Sequence, residues 1–247
     1  MSSAEHRRIP PDIIYTPPHR PASCEDGAVF PVDKPEGTTS FDVVRMVRRA
    51  LAVRKVGHAG TLDPMATGLL IVLAARPATR LQEAFMALEK EYVATIRLGA
   101  TTPSHDTETE VAERHDASHI AARDVEKLRP TFEGTINQVP PMYAALKVDG
   151  ERLYEKARRG EEVDRPPRQV TIHDLSILGK DGDDVTVRVV CSKGTYIRSL
   201  ARDIGAELGV GAHLTALRRT RIGSFHVDDA WTLNALCGDV STDAVRS

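Results

Sequence analysis

The segment GHAGTLDPMATGLL, residues 57–70, sets a histidine and an aspartate among glycines and a proline. Gly57 and Gly60 flank His58, and Pro64 follows Asp63, so neither side chain is expected inside a regular helix or a central strand. The pair is expected on a rigid loop. Directly behind it, LLIVLA is a continuous apolar run of strand length, closed by Arg76 and Pro77, and reads as a buried strand. Ahead of it, AVFPVDKP reads as a short strand ending at a proline. SFDVVRMVRRAL follows, with Val43, Val44, Val47 and Leu51 at helical spacing behind a Ser40 cap.

Further along, EYVATIRLG alternates, which puts Tyr92, Ala94, Ile96 and Leu98 on one face, pointing inward. SHIAARDVEKLRPTF reads as one capped helix. QVTIHDLSIL and VTVRVVCS are alternating strands separated by GKDGDD, the pattern of an antiparallel hairpin. TYIRSLARDIGAELG carries Ile197, Leu200, Ala201, Ile204 and Leu208 as one apolar helical stripe ending at Gly209, with Arg198 and Arg202 off that stripe. Strands and helices mix without regular βαβ alternation, so the fold class is α+β, built on a mixed sheet rather than a doubly wound one.

At 247 residues and 41% hydrophobic content the chain can bury a sizeable core without staples. No stretch reaches the roughly 18 uninterrupted apolar residues of a membrane span, the longest run being LLIVLAA. Residues 1–26 lack the pattern of a secretory signal and are rich in Pro, Ser and charge, so a flexible N-terminal arm is expected there. Three cysteines without CxxC spacing suit a reducing compartment, with a cytoplasmic location as the expectation. The net charge of −2 hides a segregation of sign. Cations gather at residues 45–55, 156–160 and 217–221, and anions at residues 105–116 and 181–184, so one face could hold a phosphate backbone.

The loop is not a phosphate cradle of the usual kind, since no GK[ST] closes it and no GxGxxG follows a strand. His115 and His119 stand four apart without HExxH, and no PCxxC accompanies any His, so neither a zinc protease nor a zinc deaminase is supported. Two readings of Asp63 stay open at this level. It is an Asx turn or cap, or it is a carboxylate acting at a sugar carbon as nucleophile or electrostatic stabiliser.

Taken together and in order, VDKPEGTTSFDVV, GHAGTLDPMATGLL, EYVATIRLG, VPPMYAALKVDGERLYEKARRG, CSKGTYIRSLARDIG and GAHLTALRRTRIG resemble the TruB family of tRNA pseudouridine synthases. The resemblance implies the pseudouridine synthase fold, a largely antiparallel mixed sheet flanked by helices and loops around an RNA-binding cleft. It implies a catalytic domain over residues 27–236 with a short tail over 237–247; many members of the family continue into a C-terminal PUA-type domain, and the expectation here, as a departure from them, is that this domain is absent. The implied activity is isomerisation of uridine 55 in the T loop of tRNA to pseudouridine at a flipped-out nucleotide. No cofactor or metal is implied, and the partner is the tRNA T stem-loop, bound by a monomer with no membrane association.

By the same resemblance Asp63 matches the catalytic aspartate, Arg198 the arginine that pairs with it, and Tyr92 the tyrosine against the target base. His58 matches the residue that fills the space the uridine leaves, while Tyr196 and Leu217 match residues near the base pocket. Lys34 and Pro35 are expected to shape the cleft. Arg48, Arg49, Arg218 and Arg219 are the expected phosphate contacts. One departure stands out, since the family's Asp-x-x-Gly turn reads HDTETE here, with Thr109 where Gly is common. The rival reading is a non-catalytic tRNA binder or folding chaperone on the same scaffold. A guide-RNA-dependent paralogue acting on ribosomal RNA is a third, and it would need the PUA-type domain.

Overall fold

The computed structural model describes residues 9–144, 147–148, 151–161 and 163–238. Residues 1–91 and 218–247 form one unit, and residues 92–217 form the other. The chain passes between them inside two strands, Lys90–Leu98 and Ala212–Ile222. The whole is α+β with a large mixed sheet, as the absence of βαβ alternation implies.

In the first unit the apolar run is the central strand Thr67–Ala74. It pairs antiparallel with Ala28–Lys34 along one edge and, along the other, antiparallel with Val56–Ala59 and parallel with Arg218 and Arg219. Both faces are covered, which is why the run does not alternate with polar residues. Phe30, Val32, Leu70 and Val72 pack with Val43, Met46 and Val47 of the helix Ser40–Ala50, and with Trp231, Leu233 and Leu236. Val29, Leu69, Ile71 and Leu73 pack on the opposite face with Ala78, Leu81, Phe85 and Ile222. The helix is capped one residue earlier than the sequence suggests. Thr39 accepts from the Asp42 amide at 3.0 Å while the Asp42 carboxylate accepts from the Thr39 amide at 3.1 Å, a reciprocal capping box.

Gly68 is where this sheet admits no side chain. Its φ is +101°, and a Cβ there would lie 2.3 Å from the Arg219 carbonyl oxygen on the paired strand. Gly68→Ala is therefore expected to cost at least about 3 kcal/mol, from left-handed strain plus a backbone clash. Urea denaturation should show the lowered midpoint, and a variant within about 0.5 kcal/mol of the native chain would contradict this account.

The N-terminal arm is not free over residues 9–26. Tyr15 donates its amide to Val29 O at 2.9 Å, stacks on Phe30 with centroids 5.9 Å apart, and accepts from Trp231 Nε1 at 2.9 Å. Cys24 is buried in the same cluster. Composition gave the arm its mobile reading, but the few apolar residues among its prolines are the ones that dock. Residues 1–8 of the arm and 239–247 of the expected tail lie outside the described residues.

In the second unit the expected hairpin is present as Arg168–Asp181 and Asp184–Cys191, with Gly134–Gln138 pairing antiparallel beyond it. Lys90–Leu98 buries Tyr92, Ala94, Ile96 and Leu98, as its alternation predicts. The expected single helix at residues 118–132 is instead two short ones, Ala122–Glu126 and Arg129–Phe132, because Pro130 cannot continue the first and suits the opening turn of the second. The helix Ile197–Glu207 buries the predicted stripe of Ile197, Leu200, Ala201 and Ile204. Among the described residues no helix is long and apolar enough to cross a membrane.

Candidate active site

In the first unit Asp63 opens a turn closed by the Ala66 amide on its carbonyl at 3.1 Å, and the residues on either side are fixed from elsewhere. Ser40 Oγ accepts from the Leu62 amide at 2.9 Å and donates to Leu62 O at 3.1 Å. On the other side Pro64 O accepts from the Gly37 amide at 2.8 Å and from Lys34 Nζ at 3.3 Å. The side chain of Asp63 is half-buried on this clamped loop. His58 differs from expectation, for it lies in the strand Val56–Ala59, opposite Val72. The flanking glycines do not break the strand because it is a short outer one.

Lys34 is fully buried, and its ammonium also donates to Pro35 O at 2.9 Å and Thr38 O at 2.7 Å. Burial pulls its pKa down from 10.5 to about 8, with Arg219 adding to the fall while Asp63, Glu36 and Asp33 oppose it. Lys34 thus ties three loop carbonyls together and places a cation within electrostatic reach of Asp63. Composition gave no hint of this, although a lysine at the end of a buried strand needs such partners. Burial, then the nearby Arg219, lowers the pKa of His58, so its imidazole is held neutral. His58 Nδ1 has no hydrogen-bond partner among the described residues.

The arginines expected to grip phosphate divide sharply. Arg48 and Arg49 are exposed at the end of the helix Ser40–Ala50, with Arg54 and Lys55 exposed just beyond, and none of the four enters an ion pair among the described residues. Arg219 does not belong with them. It is 1% exposed, donating from Nε to Leu69 O at 2.7 Å and from Nη2 to Gly60 O at 3.0 Å, so it braces the loop from inside. Strand alternation sends residue 219 to the same side as Leu217, also buried. Arg218 is forked on Asp33 through contacts of 3.1 and 2.8 Å, and Arg221 pairs with Glu89 at 2.7 Å.

In the second unit Arg198 is not on a solvated helix face. It is 3% exposed, ion-paired with Asp106 at 3.3 Å, and donates to Ser104 O at 3.3 Å and Tyr143 O at 2.8 Å. A cation in the first turn of a helix faces the unfavourable end of the dipole, and the buried Asp106 carboxylate offsets that. The turn carrying Asp106 is closely tied. Thr102 Oγ1 donates to Asp106 O at 2.7 Å, Asp106 Oδ1 accepts from the Glu108 amide at 2.8 Å, and Thr109 Oγ1 accepts from the Ser104 amide at 3.0 Å. Thr109, the departure from the family turn, thus secures the turn through its hydroxyl. His105 takes φ +60° beside it, with a pKa pushed down to about 4 by burial first and by Arg202, Arg198 and Arg165.

Tyr92 and Leu217 are buried on their strands, and Tyr196 caps the helix that bears Arg198. Gln138 holds that cap from both sides, accepting from the Tyr196 amide at 2.8 Å and donating to Tyr196 O at 3.1 Å. Asp106 and Gln138 were not singled out in the sequence. The acidic run hid Asp106 among solvated carboxylates, and Gln138 lies in a proline-broken stretch without periodicity. Among the described residues no three His, Cys, Asp or Glu side chains converge as a metal set.

Residues 48–197 match the model of the TruB family pseudouridylate synthase N-terminal domain, and residues 198–243 that of the tRNA pseudouridylate synthase B C-terminal domain. The chain is 52% identical over 222 residues to tRNA pseudouridine synthase B of Thermobifida fusca, covering 87% of this chain and 75% of the relative. It is 51% identical over 209 residues to the protein of the same name from Desulfotalea psychrophila, covering 83% and 85%. Among solved structures it is similar to a chain of a Cbf5–Nop10–Gar1 complex, with TM-score 0.67 and 34% identity over 93% of this chain; it spans 60% of that chain. A chain of an H/ACA RNP bound to a substrate RNA containing 2′-deoxyuridine matches at TM-score 0.64 and 32% identity, with 93% and 59% covered. Matches of this length and identity, over both family models in order, mean that the chain belongs to the TruB family of pseudouridylate synthases.

Proposed function

We propose that this chain isomerises uridine 55 in the T loop of tRNA to pseudouridine, with the Asp63 carboxylate acting at ribose C1′. The N1–C1′ bond breaks, the base turns, C5 joins C1′, and the C5 proton is lost as N1 gains one. The observation that carries the reading is the clamped loop around Asp63, which holds the flanking main chain on Lys34, Gly37 and Ser40 and keeps the carboxylate beside a buried cation. Preorganisation of this kind suits a group that must meet one sugar carbon. Arg198 as the partner of Asp63, Tyr92 in the proton transfer from C5, and His58 as the wedge in the emptied T loop follow from the family resemblance. To test the reading, a tRNA transcript is incubated with the protein and pseudouridine is mapped by carbodiimide-dependent primer stops. One stop at the T-loop uridine is expected, and stops elsewhere with that uridine untouched would refute the assignment.

Two further outcomes follow. The exposed Arg48 and Arg49 are assigned to phosphates of the T stem-loop. Changing both to Ala should reduce the magnitude of the log affinity versus log salt slope by about 1.8, leaving the saturated single-turnover rate nearly unchanged. Fluorescence titration at several salt concentrations measures it, and an unaltered slope would place the grip elsewhere.

Lys34 gives a pH dependence. With its folded pKa lowered to about 8, the cation beside Asp63 is lost as pH rises through 8, so single-turnover rate should fall there. Stability should respond in the opposite sense. The unfolded chain binds the extra proton between about 8 and the ordinary 10.5, so the contribution of this group to stability rises with pH across that window. A rate profile flat to about pH 9.5 would contradict the role given to Lys34.

A further inference from the structure

The helix Ser40–Ala50 carries a feature that its capping and packing do not explain. Phe41 is 61% exposed, in the first turn of a helix whose Val43, Val44, Met46 and Val47 are buried. An aromatic ring left in water at this position forgoes the stabilisation that burial of its apolar surface would give. Its surroundings are polar and basic. The Arg45 guanidinium lies 5.8 Å from the ring centroid and is held by Asp42 at 2.6 Å, while Arg48 is exposed one turn further on. Residues 41, 45 and 48 fall at i, i+4 and i+7, so ring and cations share one face. The adjacent Ser40 is the residue that grips Leu62 by both its amide and its carbonyl, which fixes Phe41 to the loop that bears Asp63.

We infer that Phe41 is a stacking platform for an unpaired nucleotide of the RNA, one flanking the reacting uridine, with Arg45 and Arg48 taking the phosphates beside it. The chemistry favours this occupant. A base offers a flat π-face to the ring, a phosphate offers the anion that Arg48 lacks among the described residues, and the cation already over Phe41 suits a stacked base as well. A duplex would leave the ring unused, because its bases are already stacked. The inference rests on the proposed function and adds to it a base contact outside the reacting position.

The test measures binding of a T stem-loop transcript to the Asp63→Asn protein, so that turnover does not interfere, and compares Phe41→Ala and Phe41→Trp in that background. Phe41→Ala should weaken binding about tenfold, the loss expected from one stacked base, with the salt slope unchanged because no charge is removed. Phe41→Trp should bind at least as tightly as the parent. A transcript with an abasic site 3′ or 5′ of the target uridine should lose most of the Phe41 effect at one of those positions. Equal affinity for the Ala variant and the parent overturns the inference and leaves the proposed function standing, as does a Phe41→Ala effect confined to self-association of the protein. Failure of the parent to bind the transcript at all overturns both.

Discussion

Asp63→Asn should lower the single-turnover rate of pseudouridine formation by at least about a thousandfold, while RNA affinity stays within about threefold. The substitution preserves shape and most hydrogen bonding and removes only the charge. The loop should be unmoved, because its anchors are main-chain contacts from Ser40 to Leu62 and from Lys34 and Gly37 to Pro64, none of which uses the Asp63 carboxylate. Rapid-quench measurement with excess protein separates chemistry from binding. Retained turnover would make Asp63 a turn residue, the other reading its sequence context permits, and retained affinity without turnover is what distinguishes an enzyme from a binder on the same scaffold.

The second large effect concerns Arg198. Arg198→Ala leaves the Asp106 carboxylate, 1% exposed, without its ion-pair partner, and leaves the Ser104 and Tyr143 carbonyls without their donors. Breaking one side of a buried pair costs about 3–5 kcal/mol, so a large drop in the urea midpoint is expected. Arg198→Lys keeps the charge but cannot reach several acceptors at once, so it should fold better than the Ala variant and still lose most of the single-turnover rate. An Ala variant as stable as the parent would mean the guanidinium is not the tie that the geometry describes.

Much of the architecture was legible because it depends on short-range pattern. The apolar run at 69–74, the alternation around Tyr92, the hairpin at 168–191 and the stripe on the helix bearing Arg198 each follow from one periodicity, and each is present. The failures share a cause as well. Arg219 and Asp106 read as surface charge because composition prices a charged side chain as solvated, yet both are buried through partners distant in sequence. For Arg219 the information was present, since alternation from Leu217 sends it inward; for Asp106 it was not, because its partner lies 92 positions away along the chain and no local pattern joins them. The arm at 9–26 erred in the same direction, its tie to Trp231 being invisible to composition.

The most direct measurement of the central claim is tritium release from a T stem-loop transcript made with uridine tritiated at C5. Forming the C5–C1′ bond displaces that hydrogen, so label released to water counts isomerisation events independently of binding. The native chain should release one equivalent of label per transcript, and none beyond background when the T-loop uridine is replaced by cytidine or when Asp63 is Asn. Release that persists without the T-loop uridine, or with the Asn variant, would contradict the account.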